Sequence, residues 1–400
     1  MQILVAGGGP VAFLYARLFL ASGARVQMWQ RGRETECRFS LETDSPRHAR
    51  WTGHFQLHSR VHGEQELWSE IDWIVLAVPA PAYGSVFRSL TTRRPDLLEA
   101  AWLLPSATLG SSLQLEGASR IVSLSSFFAA SKRVPGETSR FLLRGLKRRI
   151  YAGATAPGLA APIAELLAQI EVETSELLNP LAAEARNIVT YVHPPLCLNE
   201  HALGWIFQPG PPKYMYKLYP QGPITREVME SMLRAHEEIQ FLLGLLGVRP
   251  FNLLAFLNDD NYPVLPVSID PQKIADFPRL SFEERTLLLY IRYASLLIDP
   301  WSQPDENTGN YPDFSAVAMP ALHENGTVPR VPLEDYRTAL NYAHLGLKLG
   351  VKTPEISRLC HNFESALAGW ESLAGASSPH SLAEFHAEAV RLAERIAHAA

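Results

Sequence analysis

A glycine-rich stretch near the N-terminus constrains the fold of this chain more than any other feature. Residues 1–6 form an apolar run of strand length, the loop Gly-Gly-Gly-Pro-Val-Ala follows at residues 7–12, and a helix-like segment comes next. Gly7, Gly9 and Ala12 match the pattern G-x-G-x-x-G/A. In this pattern the first glycine permits a tight turn, the second lets backbone approach a pyrophosphate, and the small third residue lets helix pack on strand. The sequence predicts a dinucleotide-binding turn.

The segments around this loop complete a βαβ unit. Gly23 is placed to end the helix, and residues 24–30 have the composition of a second strand. Backbone amides at the helix N-terminus are suited to receive phosphate charge. The predicted contacts to the dinucleotide are Gly7, Gly9, Pro10, Val11 and Ala12. A glycine turn that merely joins strand and helix is the alternative.

Arginines follow the second predicted strand, where an NAD enzyme usually carries an acid. About 20 residues after the glycine loop that acid binds the ribose hydroxyls, whereas this chain has Gln30, Arg31, Gly32 and Arg33. A planar guanidinium suits a 2′-phosphate. We therefore predict NADP(H) as the cofactor, bound by Arg31 and Arg33, with Arg38 as a third candidate. A solvated basic loop is the alternative.

Later apolar runs extend the predicted sheet. Strands that are buried on both faces have near-continuous apolar sequences, and such runs occur at residues 72–83, 101–110 and 120–132, with a shorter candidate at residues 148–155. Pro79 breaks the first of these runs near the carboxyl edge of the sheet. Because loops at this edge meet the ligand in doubly wound sheets, we expect Pro79 to contact the nicotinamide half of the cofactor.

The hydrophobic spacing changes in the second half of the chain. Residues 226–247 and 353–373 have apolar residues at the three-and-four spacing of amphipathic helices. The predicted fold class is α/β, with an N-terminal Rossmann-type doubly wound sheet followed by a mostly α-helical domain. We predict an NADP-binding domain at residues 1–182 and a helical substrate and dimerisation domain at residues 183–400.

Composition excludes several classes of protein. The formal net charge is -5 with mixed signs, which argues against nucleic acid and anionic membrane surfaces as partners. Cys37, Cys197 and Cys360 are far apart, so we expect no disulfide framework, no metal site and a reducing cytosol. We find no signal-peptide pattern and no run of about 18 apolar residues that could span a bilayer. A cytoplasmic enzyme acting on small molecules fits these properties.

Several segments together resemble one family. Beside the glycine loop they are SLSSFFAASK, KRRIYAG, RNIVTYVHPP, PPKYMYKLYPQGPIT, FLNDDNYPV and VPLEDYR. Over essentially its full length the chain is similar to the opine metallophore dehydrogenases, which include the staphylopine and pseudopaline dehydrogenases. The resemblance implies an enzyme that condenses a 2-oxo acid with the primary amine of a histidine-derived aminobutyrate and reduces the imine with NADPH. It also implies a metal-chelating product, no metal in the enzyme, substrates in a cleft between two domains, and a homodimer.

His193, in the segment TYVHPP, is the predicted general acid/base. An imidazole with an ordinary pKa of about 6.5 can exchange protons at working pH, although one of thirteen histidines taken alone would more often be structural. Pro194 and Pro195 lack amide hydrogens and stiffen the chain after it. The resemblance implies an aspartate partner, for which we consider Asp259 and Asp260 equally, with a capped turn as the alternative.

The predicted substrate contacts lie in a segment rich in tyrosine and lysine. A substrate with several carboxylates needs cationic and hydrogen-bonding groups, and Tyr216 and Lys217 are our main candidates, while Asn187 and Arg292 are weaker ones. Packing aromatics with a solvated lysine are the alternative.

Ala130 is the candidate for choosing the 2-oxo acid. The resemblance implies that members using pyruvate carry an acid at this position and members using 2-oxoglutarate a small neutral residue. An aspartate would repel and displace the distal carboxylate of 2-oxoglutarate. We therefore expect 2-oxoglutarate, with pyruvate as the competitor; a residue that is small only for packing is the alternative reading of Ala130.

Two other functions are open at this point. One is an NADP-dependent ketoacid or hydroxyacid reductase with a helical C-terminal domain, which needs no amine. The other is a non-catalytic NADP-binding sensor.

Overall fold

The computed structural model describes most of the chain and divides it into two compact units. The described residues are 1–32, 36–43, 46–63, 65–208, 210–260, 269–298, 317–323, 325–375 and 377–399. The first unit ends at Asn187 and the second begins at Ile188, whereas the boundary drawn from the sequence lies after residue 182.

The first unit contains the twelve strands of the described chain. They are β1 (Gln2–Ala6), β2 (Arg25–Gln30), β3 (Arg38–Thr43), β4 (Gly53–Gln56), β5 (Ser59–His62), β6 (Trp73–Leu76), β7 (Ala101–Leu104), β8 (Ile121–Leu124), β9 (Ala129–Arg133), β10 (Arg140–Leu146), β11 (Arg149–Ala154) and β12 (Glu173–Leu177). Eight form a sheet in the order β12-β11-β8-β7-β6-β1-β2-β5, in which only the β8–β11 pair is antiparallel. A second sheet, which the sequence did not predict, has the order β4-β3-β10-β9.

Thirteen helices are described. Those of the first unit are α1 (Pro10–Ala21), α2 (Tyr83–Arg93), α3 (Ala161–Ala168) and α4 (Pro180–Glu184). Those of the second unit are α5 (Val189–Cys197), α6 (Glu200–Phe207), α7 (Arg226–Leu245), α8 (Leu253–Asp260), α9 (Pro271–Asp276), α10 (Phe282–Ile298), α11 (Arg330–Leu349), α12 (Pro354–Ala374) and α13 (Leu382–Ala399). Within the described residues, no helix combines the length and apolar character needed to cross a membrane.

The first strand shows why the central strands of the large sheet are apolar throughout. Ile3 and Val5 pack in one hydrophobic core, which includes residues of α1, and Leu4 packs in the other, which includes residues of α2. Since successive side chains of a strand point to opposite faces, covering both faces makes every position apolar.

The register of the large sheet brings the candidate cofactor residues to one edge. Ala6 of β1 is level with Trp29 of β2 and with Leu76 of β6, and all three strands run in parallel. Gly7 and Gln30 therefore both lie at the carboxyl edge. In open α/β sheets this is the edge at which ligands bind.

Helix α5 is anchored by an aromatic cluster in the second unit. The ring of Tyr191 is fully buried and meets His236, Phe251 and Phe256 at steep interplanar angles. Helix α5 packs on α7 and also on α11, which itself packs on α12 and α13. The cluster thus fixes the helix that carries His193.

Glu184 is a fully buried carboxylate at the end of α4. It accepts hydrogen bonds from the amides of Gly110 and Ser112 and from the hydroxyl of Ser123, each at 2.8 Å. Burial raises the pKa of Glu184 to about 7, and these donors oppose the rise. The carboxyl group ties α4 to β8 and to the loop after β7.

Replacing Glu184 should change how stability depends on pH. The carboxyl has a pKa of 4.5 in its ordinary state and about 7 in the fold, so the folded protein binds this proton more tightly. The resulting stabilisation is complete below pH 4.5 and is lost as pH rises through 7. Urea titrations of wild type and Glu184→Gln measure this loss. The free energy of unfolding of the wild type, minus that of the variant, should fall by about 3 kcal/mol between pH 4.5 and pH 7. A difference that stays constant with pH would contradict the assignment.

Candidate active site

His193 lies at the centre of a polar cluster in the second unit. It belongs to α5, and its side chain is 18% exposed. A hydrogen bond of 3.0 Å joins its Nε2 to the hydroxyl of Tyr216. On the other side of the ring, Nδ1 lies 3.3 Å from Oδ1 of Asp335, which makes an ion pair whenever the imidazole is protonated. Both ring nitrogens therefore face polar groups, as a proton-transfer residue requires.

Asp335 is the carboxylate that the described structure brings to this histidine. Its side chain is 2% exposed, and its Oδ2 has no hydrogen-bond partner within the described parts of the chain. A buried carboxylate needs a compensating donor or cation nearby. The Nδ1 atom of His193 makes no hydrogen bond within the described residues, but it lies at ion-pair distance, so a protonated ring supplies this cation.

The sequence reasoning did not single out Asp335. The segment VPLEDYR was recognised as a whole, yet it contains two acids and no local pattern says which one faces a histidine far along the chain. In the structure, Glu334 accepts a hydrogen bond from Arg330 at 2.9 Å along the same helix, whereas Asp335 is buried.

Cys197 is a third member of the cluster and was not predicted as a functional residue. It lies one helical turn after His193, on the same side of α5. One donor atom from each of His193, Cys197 and Asp335 lies within 4.8 Å of the others. Burial, and then the Asp335 carboxylate, raise the pKa of the Cys197 thiol, which therefore stays protonated. Three such groups could also hold a metal ion, which the sequence did not predict.

The polypeptide around His193 is held by an asparagine that follows two prolines. Pro194 and Pro195 lie inside α5, where they have no amide hydrogen to donate. Asn199 donates from its side chain to the carbonyls of Pro195 and Leu196, each at 2.9 Å, and accepts from the amide of Ala202 at 2.9 Å. Asn199 lies in the turn between α5 and α6, and its hydrogen bonds fix the backbone of both helices at this turn.

The two main substrate candidates differ in their contacts. Tyr216 meets His193 directly, whereas the Lys217 ammonium lies 4.1 Å from the ring centre of Tyr214. Their segment folds back so tightly that a Cβ at Gly222 would lie only 2.2 Å from the carbonyl oxygen of Lys217. The structure thus brings Tyr216 to the polar cluster around His193 and places Lys217 against an aromatic ring.

The weaker candidates have structural contacts. Asn187 is buried and donates to the carbonyl of Ala107 at 2.9 Å. Arg292 is buried and donates to the carbonyl of Leu257 at 2.8 Å. Each of these side chains thus binds a main-chain carbonyl.

The acids of the segment FLNDDNYPV receive no test from the structure. The backbone of Asp259 and Asp260 ends α8, and their side chains lie outside the described part of the protein. Their pairing with His193 stays a prediction.

The glycine loop of the first unit fits a dinucleotide. Gly7 has φ +147°, and a Cβ there would lie 2.3 Å from the carbonyl oxygen of Ala77, so only glycine is accommodated. No atom lies within 4 Å of a Cβ built on Gly9, which leaves open space above the loop. Helix α1 begins at Pro10, and its N-cap residue, Gly9, has no side chain that could accept from first-turn amides such as that of Val11. Ala12 is buried against the sheet.

The other cofactor candidates lie near the carboxyl edge or beyond the described residues. Arg31 follows β2 directly and Arg38 begins β3; both are exposed, and neither side chain has a hydrogen-bond partner in the described chain. Arg33 lies outside the described residues. Pro79 is exposed three residues after β6. Ala130 of β9 is half-buried opposite Gly145 of β10.

Comparison with known proteins identifies the family. The chain matches the family model described as staphylopine dehydrogenase over residues 2–390. It is 40% identical over 326 residues to a pseudopaline synthase of Pseudomonas aeruginosa, covering 77% of this chain and 75% of the relative. It is 31% identical over 400 residues to a staphylopine synthase of Staphylococcus aureus, covering 93% and 92%.

Solved structures agree with this result. A yersinopine dehydrogenase with NADP+ bound superposes with a TM-score of 0.87 at 27% identity, covering 100% of this chain and 98% of the other. An octopine dehydrogenase in complex with NADH and agmatine has a TM-score of 0.61 at 13% identity over 92% and 90% of the chains, which supports the fold alone. The predicted fold class, a Rossmann-type sheet followed by a helical region, is confirmed. The chain belongs to the staphylopine dehydrogenase family, as its sequence motifs implied.

Proposed function

We propose that this oxidoreductase is an NADPH-dependent opine dehydrogenase that joins a 2-oxo acid to the primary amine of a histidine-derived aminobutyrate. The observation that carries the proposal is the alignment of Tyr216, His193 and Asp335 in a member of this family. The relatives are named as synthases of pseudopaline, staphylopine and yersinopine. The product is a secondary amine with several carboxylates, which suits it to chelate metal ions.

Two proton transfers in this reaction suit His193. The amine adds to the carbonyl carbon of the oxo acid, and the resulting carbinolamine loses its hydroxyl as water once that oxygen is protonated. The imine nitrogen must then carry a proton when hydride reaches the neighbouring carbon. Nε2, which is hydrogen-bonded to the Tyr216 hydroxyl, is the ring nitrogen available to substrate, because Nδ1 faces Asp335. The Asp335 carboxylate stabilises the charged ring.

The residues present would hold NADPH, which supplies the hydride when bound. Overall, amine, oxo acid, NADPH and one proton give the secondary amine, water and NADP+. Gly7, Gly9 and the first-turn amides at Val11 and Ala12 would bind the pyrophosphate. We assign the 2′-phosphate to Arg31 and Arg33, with Arg38 as a third contact, and the nicotinamide half to the loop at Pro79.

We propose Asp335, in place of Asp259 and Asp260, as the residue that orients His193. It is the acid whose described side chain contacts the ring. We also propose a cytoplasmic homodimer, with residues 183–400 as the substrate and dimerisation domain. Buried thiols outside any disulfide at Cys197 and Cys360 are consistent with a reducing compartment.

We propose 2-oxoglutarate as the oxo acid. The Ala130 side chain is small and neutral, and it stands opposite Gly145 in the β9–β10 pair, so neither charge nor bulk opposes a distal carboxylate there. An aspartate at position 130 would introduce both.

Turnover should require both an amine and an oxo acid. Loss of NADPH absorbance is measured with the histidine-derived aminobutyrate and either 2-oxoglutarate or pyruvate. Wild type should prefer 2-oxoglutarate, and Ala130→Asp should shift the ratio of kcat/KM values toward pyruvate by roughly tenfold or more, because it adds a like charge. Consumption of NADPH without amine would make the protein an ordinary ketoacid reductase. Binding of NADPH without turnover for any pair would make it a sensor.

A further inference from the structure

Arg133 reaches the glycine loop from the smaller sheet, the one with the order β4-β3-β10-β9. It is the last residue of β9 and is exposed, and its Nη2 donates to the carbonyl of Gly8 at 2.6 Å. Its guanidinium carbon lies 5.7 Å from the ring centre of Phe141 on β10, and that ring stacks on Phe13 of α1 at 4.3 Å. The two rings thus support a cation at the loop that precedes α1.

The Arg133 guanidinium keeps its positive charge at this loop. The carbonyl of Gly8 is a neutral acceptor, and Arg133 forms no ion pair within the described residues. Two acids of the same region, Glu42 of β3 and Glu137 of the β9–β10 turn, are paired instead with Arg140 at 2.9 and 3.2 Å. Since a guanidinium carries several N–H groups in a planar fork, donors remain beyond the one that binds Gly8.

The carbonyl that Arg133 binds borders the place expected for the pyrophosphate of a dinucleotide. Gly8 precedes Gly9, the N-cap of α1, and in dinucleotide-binding turns the pyrophosphate lies at this helix N-terminus. A carbonyl oxygen is the negative end of a peptide dipole, so an unbonded one would repel the pyrophosphate. Arg133 covers that oxygen and adds positive charge. No atom lies within 4 Å of a Cβ built on Gly9, which leaves room for the ligand.

We propose that Arg133 is a further cofactor-binding residue, which holds the Gly8 carbonyl with one N–H and donates others to the pyrophosphate of NADPH. A guanidinium fork binds phosphate groups through paired, charge-assisted hydrogen bonds. The smaller sheet thereby becomes part of the dinucleotide site. The inference rests on the proposed function for its nucleotide, and it concerns the pyrophosphate, which NADPH and NADH share.

Equilibrium binding tests this inference without turnover. Isothermal titration calorimetry is carried out with NADPH, with NADH and with adenosine 2′-monophosphate, which has no pyrophosphate. Arg133→Met should weaken binding of NADPH and NADH by the same factor, about tenfold or more, because charge-assisted hydrogen bonds are lost. Binding of the monophosphate should change by less than about twofold.

Arg140→Met is the matched control. It removes the same charge from the same sheet, but its guanidinium is already bound to two acids. The affinities for all three ligands should therefore stay within about twofold of the wild type.

The three ligands separate the possible roles of Arg133. A loss confined to NADPH would place it at the 2′-phosphate, equal losses for all three ligands would make it a structural tie for the loop, and unchanged affinities would leave it no role in binding. Each of these results would overturn the proposal. Arg133→Lys covers a methionine variant that fails to fold. Its ammonium keeps the charge without the fork, so affinity for both dinucleotides should fall by about threefold or more, and wild-type affinity would also overturn the proposal.

The proposed function can fail separately. Arg133→Met could lose both dinucleotides while the wild type binds them but turns over no pair of amine and oxo acid. That outcome would support the role of Arg133 and sink the opine reaction alone. Amine-dependent turnover by the wild type, with unchanged dinucleotide affinity in Arg133→Met, would overturn the inference and leave the reaction standing.

Discussion

His193→Ala should lower kcat for amine-dependent NADPH oxidation by about two to four orders of magnitude, the usual range for loss of a general acid/base. The imidazole stands between the Tyr216 hydroxyl at 3.0 Å and the Asp335 carboxylate at 3.3 Å, so its removal takes away the group that carries protons to the substrate. NADPH binding should be unchanged, since the glycine loop belongs to the first unit. Steady-state turnover and a fluorescence titration with NADPH measure the two quantities on the same preparation.

A second histidine serves as the matched control. His361 is exposed on α12 and is bonded to Ser365 of the same helix at 3.3 Å, so His361→Ala should alter kcat by less than about twofold. Activity of His193→Ala that stays within tenfold of the wild type, with intact folding, would return this histidine to a structural role.

The cofactor end of the fold could be predicted because its signals are local. An apolar run, a glycine turn and a helical period follow each other within the first 21 residues, and each constrains the next. The structure adds a long-range reason for glycine at position 7, since its positive φ and the carbonyl of Ala77, which is distant in sequence, exclude a side chain.

The partner of His193 could not be predicted in this way. Asp335 meets the histidine only because α11 packs on α5, and the period of a single helix does not say which distant helix it will contact. The prediction named the adjacent acids Asp259 and Asp260 because they form a polar segment after an apolar run, and the described structure does not test it. Cys197 did have a local signal, its spacing of four residues from His193 within one helix.

The smaller sheet shows the same limit. Strand β3 pairs with β10 in parallel, although the two are separated by much of the first unit. Alternating apolar residues indicate a strand but not the sheet that it joins. The run at residues 120–132 was therefore read as part of one sheet, whereas the structure assigns β8 and β9 to different sheets.

Asp335→Asn should reduce kcat nearly as far as the loss of His193, by about two to three orders of magnitude, while the protein still folds and binds NADPH. The amide has the size of the carboxylate but no negative charge, so it no longer stabilises a protonated ring at Nδ1 and can present an N–H to it instead. A neutral imidazole, even with its proton on Nε2, is a much weaker acid toward the substrate than an imidazolium, so proton transfer should slow. Steady-state turnover with both substrates, checked against the thermal stability of the variant, measures the effect.

Three acids provide the comparison. Asp259→Asn and Asp260→Asn should each keep kcat within about threefold of the wild type, and so should Glu334→Gln, which removes only an exposed ion pair with Arg330. If instead Asp335→Asn is active and one of the other aspartate variants is not, the orienting role passes to that residue. The double variant His193→Ala with Asp335→Asn gives a sharper test. Because Asp335 is proposed to act through the imidazole, it should lose little beyond His193→Ala alone, whereas independent roles would multiply the two losses.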